Sequence, residues 1–179
     1  MVYVLLGTGF EETEAIAPID LLRRAGVEVL TVGLNGKTVY GGHGIGIEAD
    51  ITEGEMDLTS MEMIVLPGGL GGVASIRASE AAMNAIRFAY ENSLYTAAIC
   101  AGPTVLGDLG ITTGKRVVCY PGCEEGCPGA TFENTAACTD GKLITGTSAG
   151  CAVAFGLALI AALKGEEAAR AVEKQIVIR

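Results

Sequence analysis

Short runs of β-branched and aliphatic residues alternate with segments of helical periodicity along the whole chain, and this alternation most narrows the folds open to it. Val2–Leu6 is apolar and bounded by Gly7, Thr8 and Gly9, a strand ending in a turn. From about Glu12 to Ala25 the spacing of Ile16, Ile19, Leu22 and Arg23 predicts a helix that stops at Gly26. Val27–Val32 reads as a second strand. Asn35-Gly36 then marks a hairpin turn before Thr38–Tyr40 and, past a Gly/His-rich bend, Ile45–Ile51. Met63–Leu66 is a buried-type strand closing on Pro67-Gly68-Gly69, and Ser79 starts a helix running to about Glu91. Thr96–Ile99 is a short apolar strand, and Gly102-Pro103 opens the next helix with proline near the permitted first position. Lys115–Cys119 and Lys142–Thr145 read as strands, Cys151–Leu163 as a buried helix and Glu166–Lys174 as an amphipathic one. The order implies one α/β domain over residues 1–179, a mostly parallel sheet with helices on both faces. Ligands bind such sheets beyond the carboxyl ends of the strands. Three segments belong at that edge: Gly7–Glu14, Pro67–Gly72 and Cys100–Pro103.

Composition removes several function classes. Twenty-one acids against twelve bases give a net charge of −9, which disfavours nucleic acid and anionic membranes as partners. Trp is absent and aromatics make up 5%, so base-stacking platforms are not expected. The longest apolar stretch, Cys151–Leu163, falls short of the ~20 residues that span a bilayer. Met1–Leu6 is too short and lacks the basic start of an export signal. Six cysteines in such a chain read as reduced thiols, and the expected location is the cytoplasm.

Ala98-Ile99-Cys100-Ala101-Gly102 has the small-x-nucleophile-x-small form of a strained strand-to-helix elbow that exposes one side chain. A helix N-terminus favours an anion, so Cys100 is expected to have a depressed pKa and thiolate character. The bland alternative is a small buried hydrophobe, the commonest fate of a free cysteine. The only histidine, His43, lies in a Gly-rich turn and reads as an exposed surface residue, which leaves a Cys–His mechanism without its base. Carboxylates remain, in Gly9-Phe10-Glu11-Glu12-Thr13-Glu14. Glu11 and Glu12 are accounted for as acidic charge in a helix's first turn. Glu14 lies deeper, where burial raises its pKa and keeps it protonated against a thiolate. Pro67-Gly68-Gly69 offers unhindered backbone N–H groups suited to an oxyanion hole.

Two other patterns are weaker. Gly69-Leu70-Gly71-Gly72-Val73-Ala74 fits G-x-G-x-x-A, but the next strand ends in Cys100 and not in an acid for a ribose. Cys119, Cys123 and Cys127 have spacers short enough for zinc but no evident fourth ligand, so no metal is expected. Cys119 or Cys123 could instead resolve an oxidised Cys100.

Gly9–Glu14, Pro18-Ile19-Asp20, Arg23-Arg24-Ala25-Gly26, Val65-Leu66-Pro67-Gly68-Gly69 and Ala97–Pro103 together resemble the DJ-1/PfpI superfamily. The branch is that of DJ-1 and its bacterial relatives, often labelled thiazole-phosphate biosynthesis proteins, and the similarity continues through Ala158–Gly165. The resemblance implies a flavodoxin-like three-layer sandwich and a homodimer. It implies an oxidation-sensitive nucleophile at Cys100, an acid at Glu14 contacting its sulfur, and backbone donors at Gly68, Gly69 and Ala101. Glyoxalase-III or deglycase chemistry on a small aldehyde or dicarbonyl follows, without cofactor or metal. A redox-responsive, chaperone-like stress protein acting through Cys100 oxidation is the alternative, and a PfpI-type peptidase the remotest. Tyr120-Pro121 stands where DJ-1 relatives carry histidine before proline, so Tyr120 and Thr104 are candidates to support the site from behind. Gly146-Thr147-Ser148-Ala149-Gly150 replaces a Ser-Arg-Gly-Pro-Gly stretch, removing an anion-binding arginine. Ile16, Ile19 and Leu22 could form a dimer face or simply pack on the chain's own sheet.

Overall fold

The computed structural model describes residues 1–178. In chain order the strands are β1 (Val2–Leu6), β2 (Val29–Gly33), β3 (Thr38–Tyr40), β4 (Gly46–Glu48), β5 (Ile51–Thr52) and β6 (Met63–Leu66). Then come β7 (Tyr95–Ile99), β8 (Arg116–Val117), β9 (Thr131–Phe132), β10 (Ala137–Asp140) and β11 (Leu143–Gly146). The helices are α1 (Glu12–Arg24), α2 (Leu70–Ala78), α3 (Glu80–Glu91), α4 (Pro103–Asp108), α5 (Ala152–Lys164) and α6 (Glu166–Gln175).

Seven strands form the central sheet in the order β10-β11-β7-β6-β1-β2-β5. All neighbours are parallel except β10 and β11. Every residue of β1 is buried, and its period-two alternation sends Val2, Val4 and Leu6 to one face and Tyr3 and Leu5 to the other. The first set packs with Ile19, Leu22, Phe155 and Leu159 of α1 and α5. The second packs with Val73, Ile86 and Val105 of α2, α3 and α4. This is the three-layer, flavodoxin-like sandwich expected, and near-continuous apolar strands are what burial on two faces requires.

Four local expectations change. Asn35-Gly36 does turn the chain, with φ of 66° and 132°, but joins no hairpin. The hairpin is β3–β4, a separate two-stranded sheet, and residues 45–51 divide between β4 and the edge strand β5. Helix α2 was hidden by Gly71 and Gly72, which read as loop. Close approach explains them: a Cβ on Gly72 would lie 2.7 Å from Phe10 Cα, and one on Gly71 2.9 Å from the Thr8 carbonyl. Ile19 and Leu22 belong to the chain's own core, so of the supposed dimer triplet only Ile16, 45% exposed, reaches the surface. Lastly, the Lys115–Cys119 strand shrinks to Arg116–Val117, paired with β9. Among the described residues, no helix is long and apolar enough to cross a membrane.

Candidate active site

The three loops assigned to the carboxyl edge meet there. The N–H of Glu11 donates to the Gly68 carbonyl at 3.0 Å, and the N–H of Gly68 donates to Glu14 Oε2 at 2.9 Å. Cys100 follows β7 directly. Its φ of 65° puts a non-glycine residue in the left-handed region, the strain characteristic of an elbow. The turn is fixed by backbone: Cys100 N–H donates to the Gly146 carbonyl and Gly102 N–H to the Ile99 carbonyl, both at 2.9 Å.

Glu14 is 1% exposed. Burial raises its pKa, while hydrogen bonds with the Cys100 thiol and the Gly68 N–H pull it back and the charge of Glu11 adds to the rise. Its Oε1 is buried and has no hydrogen-bond partner. Gly68 leaves room for Glu14 beside Cys100: a Cβ there would sit 2.5 Å from Glu14 Oε2 and 2.7 Å from Cys100 Cβ.

The expectation of a depressed Cys100 pKa is overturned. Burial pushes the thiol up to about 12, and the charge of Glu14 and its hydrogen bond add to the rise. The N–H groups of Ala101 and Gly69 act the other way but do not prevail. Helix α4 has only six residues, a small dipole against a half-buried sulfur. Two acids held together out of water do not both ionise, so thiol and carboxyl retain at least one proton between them. A thiolate forms here only with a proton on Glu14.

Of the three expected backbone donors, Gly68 is committed to Glu14, which leaves Gly69 and Ala101 directed at the sulfur. Tyr120 is half exposed, and its contribution is its backbone N–H, which donates to the Cys100 carbonyl at 2.9 Å. Thr104 Oγ1 donates to the Ala101 carbonyl at 2.7 Å and accepts from Arg77 Nη2 at 2.9 Å, while Arg77 Nε pairs with Asp108 at 2.6 Å. Arg77 and Asp108 thus brace the elbow helix, a role that no local signal in the sequence marks.

Cys119, Cys123 and Cys127 interact with one another, and none is among the groups that set the Cys100 pKa. Burial first, then mutual proximity and Glu124, pushes Cys119 up to about 12 and Cys127 up to about 11, so both are protonated at neutral pH.

Glu12 was underestimated. It is buried and gathers the β3–β4 hairpin, accepting from the His43 N–H at 2.7 Å and contacting His43 Nδ1 at 2.8 Å. Burial opposes its ionisation, but these bonds and that from Ile45 outweigh it and bring the pKa down to about 2. The same contacts raise the His43 pKa. Glu11, Glu12 and His43 are also, among the described residues, the one group whose ligand atoms lie close enough to share a metal ion. Both Glu12 oxygens are already engaged by the hairpin, so this cluster is explained without one.

The hairpin's hold on α1 is therefore pH-dependent. The depressed carboxylate contributes above its unfolded pKa of about 4.5, and that contribution is lost as pH falls through about 2. The histidine's contribution is complete below 6.5 and lost as pH rises through its raised value. Protection factors of the amides at 41–45, the slowing of exchange relative to the unfolded chain, are expected to be largest between those limits and to lose that profile in Glu12→Gln, measured by hydrogen exchange from pH 2 to pH 9.

The profile of the DJ-1/PfpI family matches residues 1–162. The chain belongs to the DJ-1/PfpI family. It is 33% identical over 178 residues to Protein dj-1beta of Drosophila melanogaster, covering 98% of this chain and 95% of that protein. Deglycase PH1704 of Pyrococcus horikoshii is 30% identical over 124 residues, covering 69% of this chain and 74% of the relative. Among solved structures, oxidized Toxoplasma gondii DJ-1 superposes with a TM-score of 0.94 at 30% identity, covering 98% and 97% of the two chains. Membership in the DJ-1/PfpI family accounts for the order of segments quoted from the sequence.

Proposed function

We propose that this protein converts small reactive dicarbonyls, such as methylglyoxal, to 2-hydroxy acids or removes them from amines, using Cys100 as nucleophile and Glu14 as proton carrier. The observation that carries this is the buried Glu14 carboxyl set beside the Cys100 side chain across Gly68, where it raises the pKa of the thiol. The similarity to a protein named as a deglycase supports it.

The sulfur adds to the aldehyde carbon as the thiol proton passes to Glu14. The carbonyl electron pair moves onto oxygen, held by the Gly69 and Ala101 N–H groups, and Glu14 returns the proton to give a hemithioacetal. Glu14 takes the proton from that carbon, giving an enediol, and returns it to the adjacent carbon, while the hydroxyl proton passes from the first oxygen to the second. The first carbon is thereby oxidised to a thioester and the second reduced to an alcohol. Water then cleaves the thioester, releasing the hydroxy acid and restoring the thiol. Electrons balance within the substrate. Lactate formation from methylglyoxal tests the scheme. Cys100→Ala is expected to lower it by roughly 10²–10⁴, and wild-type turnover no better than that variant would end the proposal.

A second reading has its own support. The N–H groups that act on the sulfur and the unpartnered Glu14 Oε1, as a protonated acid, could satisfy the oxygens of a Cys100 sulfinate formed by two equivalents of peroxide with release of two waters. A gain of two oxygens at Cys100 by intact mass, without turnover, would favour sensing. We further propose a homodimer, for which light scattering should give twice the 18.3 kDa chain mass; a single-chain mass at micromolar concentration would rule it out.

A further inference from the structure

The loop from Cys119 to Cys127 carries three free thiols that the chemistry at Cys100 does not use. Backbone bonds fix its course. The Cys123 N–H donates to the Tyr120 carbonyl at 2.9 Å, and the Gly126 and Cys127 N–H groups donate to the carbonyls of Cys123 and Glu124, both at 3.0 Å. These turns fold the loop back on itself. Cys119 and Cys127 meet with their thiols side by side, close enough to hydrogen-bond. Both are buried, at 7% and 1% exposure. Cys123 is half-buried and lies near both without that contact.

The pair is held against the helix that follows the nucleophile. A Cβ on Gly107 of α4 would lie 3.1 Å from Cys127 Cα, and one on Gly126 would lie 2.6 Å from Thr104 Cγ2. Cys119 directly precedes Tyr120, whose N–H holds the Cys100 carbonyl. The three thiols nevertheless act on one another and not on Cys100, so the thiol within reach of Cys119 is Cys127. Carboxylates surround them: Glu124 acts on all three, and Asp108 on Cys127.

We propose that Cys119 and Cys127 form a second redox couple, a dithiol that small organic disulfides, cationic ones foremost, oxidise to an intramolecular disulfide. The exchange passes two electrons to the small disulfide. Cys119, the more exposed of the pair, gives up its proton and attacks one sulfur of the reagent, forming a mixed disulfide and releasing one small thiol, which takes that proton. Cys127 then gives up its proton and attacks the Cys119 sulfur, closing the bridge and releasing the second small thiol. Gly122 and Gly126 allow the loop to bring the two sulfurs into bonding geometry. The net charge of −9 and the carboxylates beside the thiols favour a cationic reagent over an anionic one. The couple is separate from Cys100 and does not depend on the chemistry proposed there.

Oxidation with cystamine, a dicationic disulfide, and with anionic oxidised glutathione tests this. Intact mass should show the loss of two hydrogens. Cleavage after Glu124 and Glu125, which separates Cys119 from Cys127 in sequence, should leave the two pieces joined until a reductant is added. Cystamine should react several-fold faster than oxidised glutathione at low salt, and the gap should narrow as salt screens the carboxylates. The same bridge should form in Cys100→Ser and in Cys123→Ser. Cys127→Ser should instead trap a cysteamine adduct on Cys119, with circular dichroism showing that the variant is folded. A bridge that includes Cys100 or Cys123, adducts that persist without a bridge in the unsubstituted chain, or faster reaction with oxidised glutathione would overturn the assignment.

Discussion

Glu14→Gln is expected to abolish methylglyoxal turnover while making Cys100 easier to alkylate. The two effects have opposite signs because the carboxyl does two things to one sulfur. Ionised, it raises the thiol pKa through its charge and its hydrogen bond, on top of burial. The neutral amide removes the charge, so the thiolate appears at lower pH and iodoacetamide labelling at pH 8 should rise severalfold. An amide cannot take the thiol proton or return it to the substrate oxygen, so turnover should fall by roughly 10²–10⁴. Measuring both in one preparation separates a proton carrier from a merely structural side chain, which would alter labelling and turnover in the same direction. Turnover retained within tenfold would remove Glu14 from the mechanism.

Gly68→Ala is expected to be the most damaging one-carbon change at the site. The new methyl would need to occupy space 2.5 Å from Glu14 Oε2, 2.7 Å from Cys100 Cβ and 3.0 Å from the Ile99 carbonyl. None of these can retreat cheaply, since Ile99 is sheet backbone, Cys100 is held in its elbow and Glu14 is enclosed. Overpacking of this kind costs about 1–3 kcal/mol, read as a lower denaturant midpoint at unchanged slope. The larger effect is on chemistry. Separating carboxyl from sulfur takes the proposed proton carrier away from the nucleophile, so turnover should fall about as far as in Glu14→Gln. An alanine variant that keeps both its stability and its activity would show that the pair tolerates displacement.

The scaffold was largely legible in the chain because parallel strands buried on both faces read as unbroken apolar runs. Val2–Leu6, Met63–Leu66 and Thr96–Ile99 needed little more than their β-branched content and flanking glycines. The elbow at Cys100 and the burial of Glu14 were legible for a similar reason: small residues around one nucleophile, and an acid beside Ala15 and Ile16 past the first helical turn. What escaped was set by long-range contact. Gly71 and Gly72 disguised α2 because their purpose, clearance for the loop after β1, is invisible locally. Glu12 looked like ordinary first-turn charge because the hairpin that buries it lies some thirty residues further on. The direction of the Cys100 pKa was misjudged because a helix start is visible in sequence, whereas desolvation and an opposing carboxyl depend on which loops meet.

That meeting has a consequence for the chain before it is fully folded. Glu14, Gly68 and Cys100 come from three separated stretches, and the later strand must dock before the sulfur is enclosed. A nascent or partly unfolded molecule carries an ordinary cysteine with a pKa near ~8.5, open to any electrophile in its surroundings. Maturation therefore quiets this thiol toward indiscriminate modification. Molecules injured during synthesis would be marked at the same atom that intact ones use.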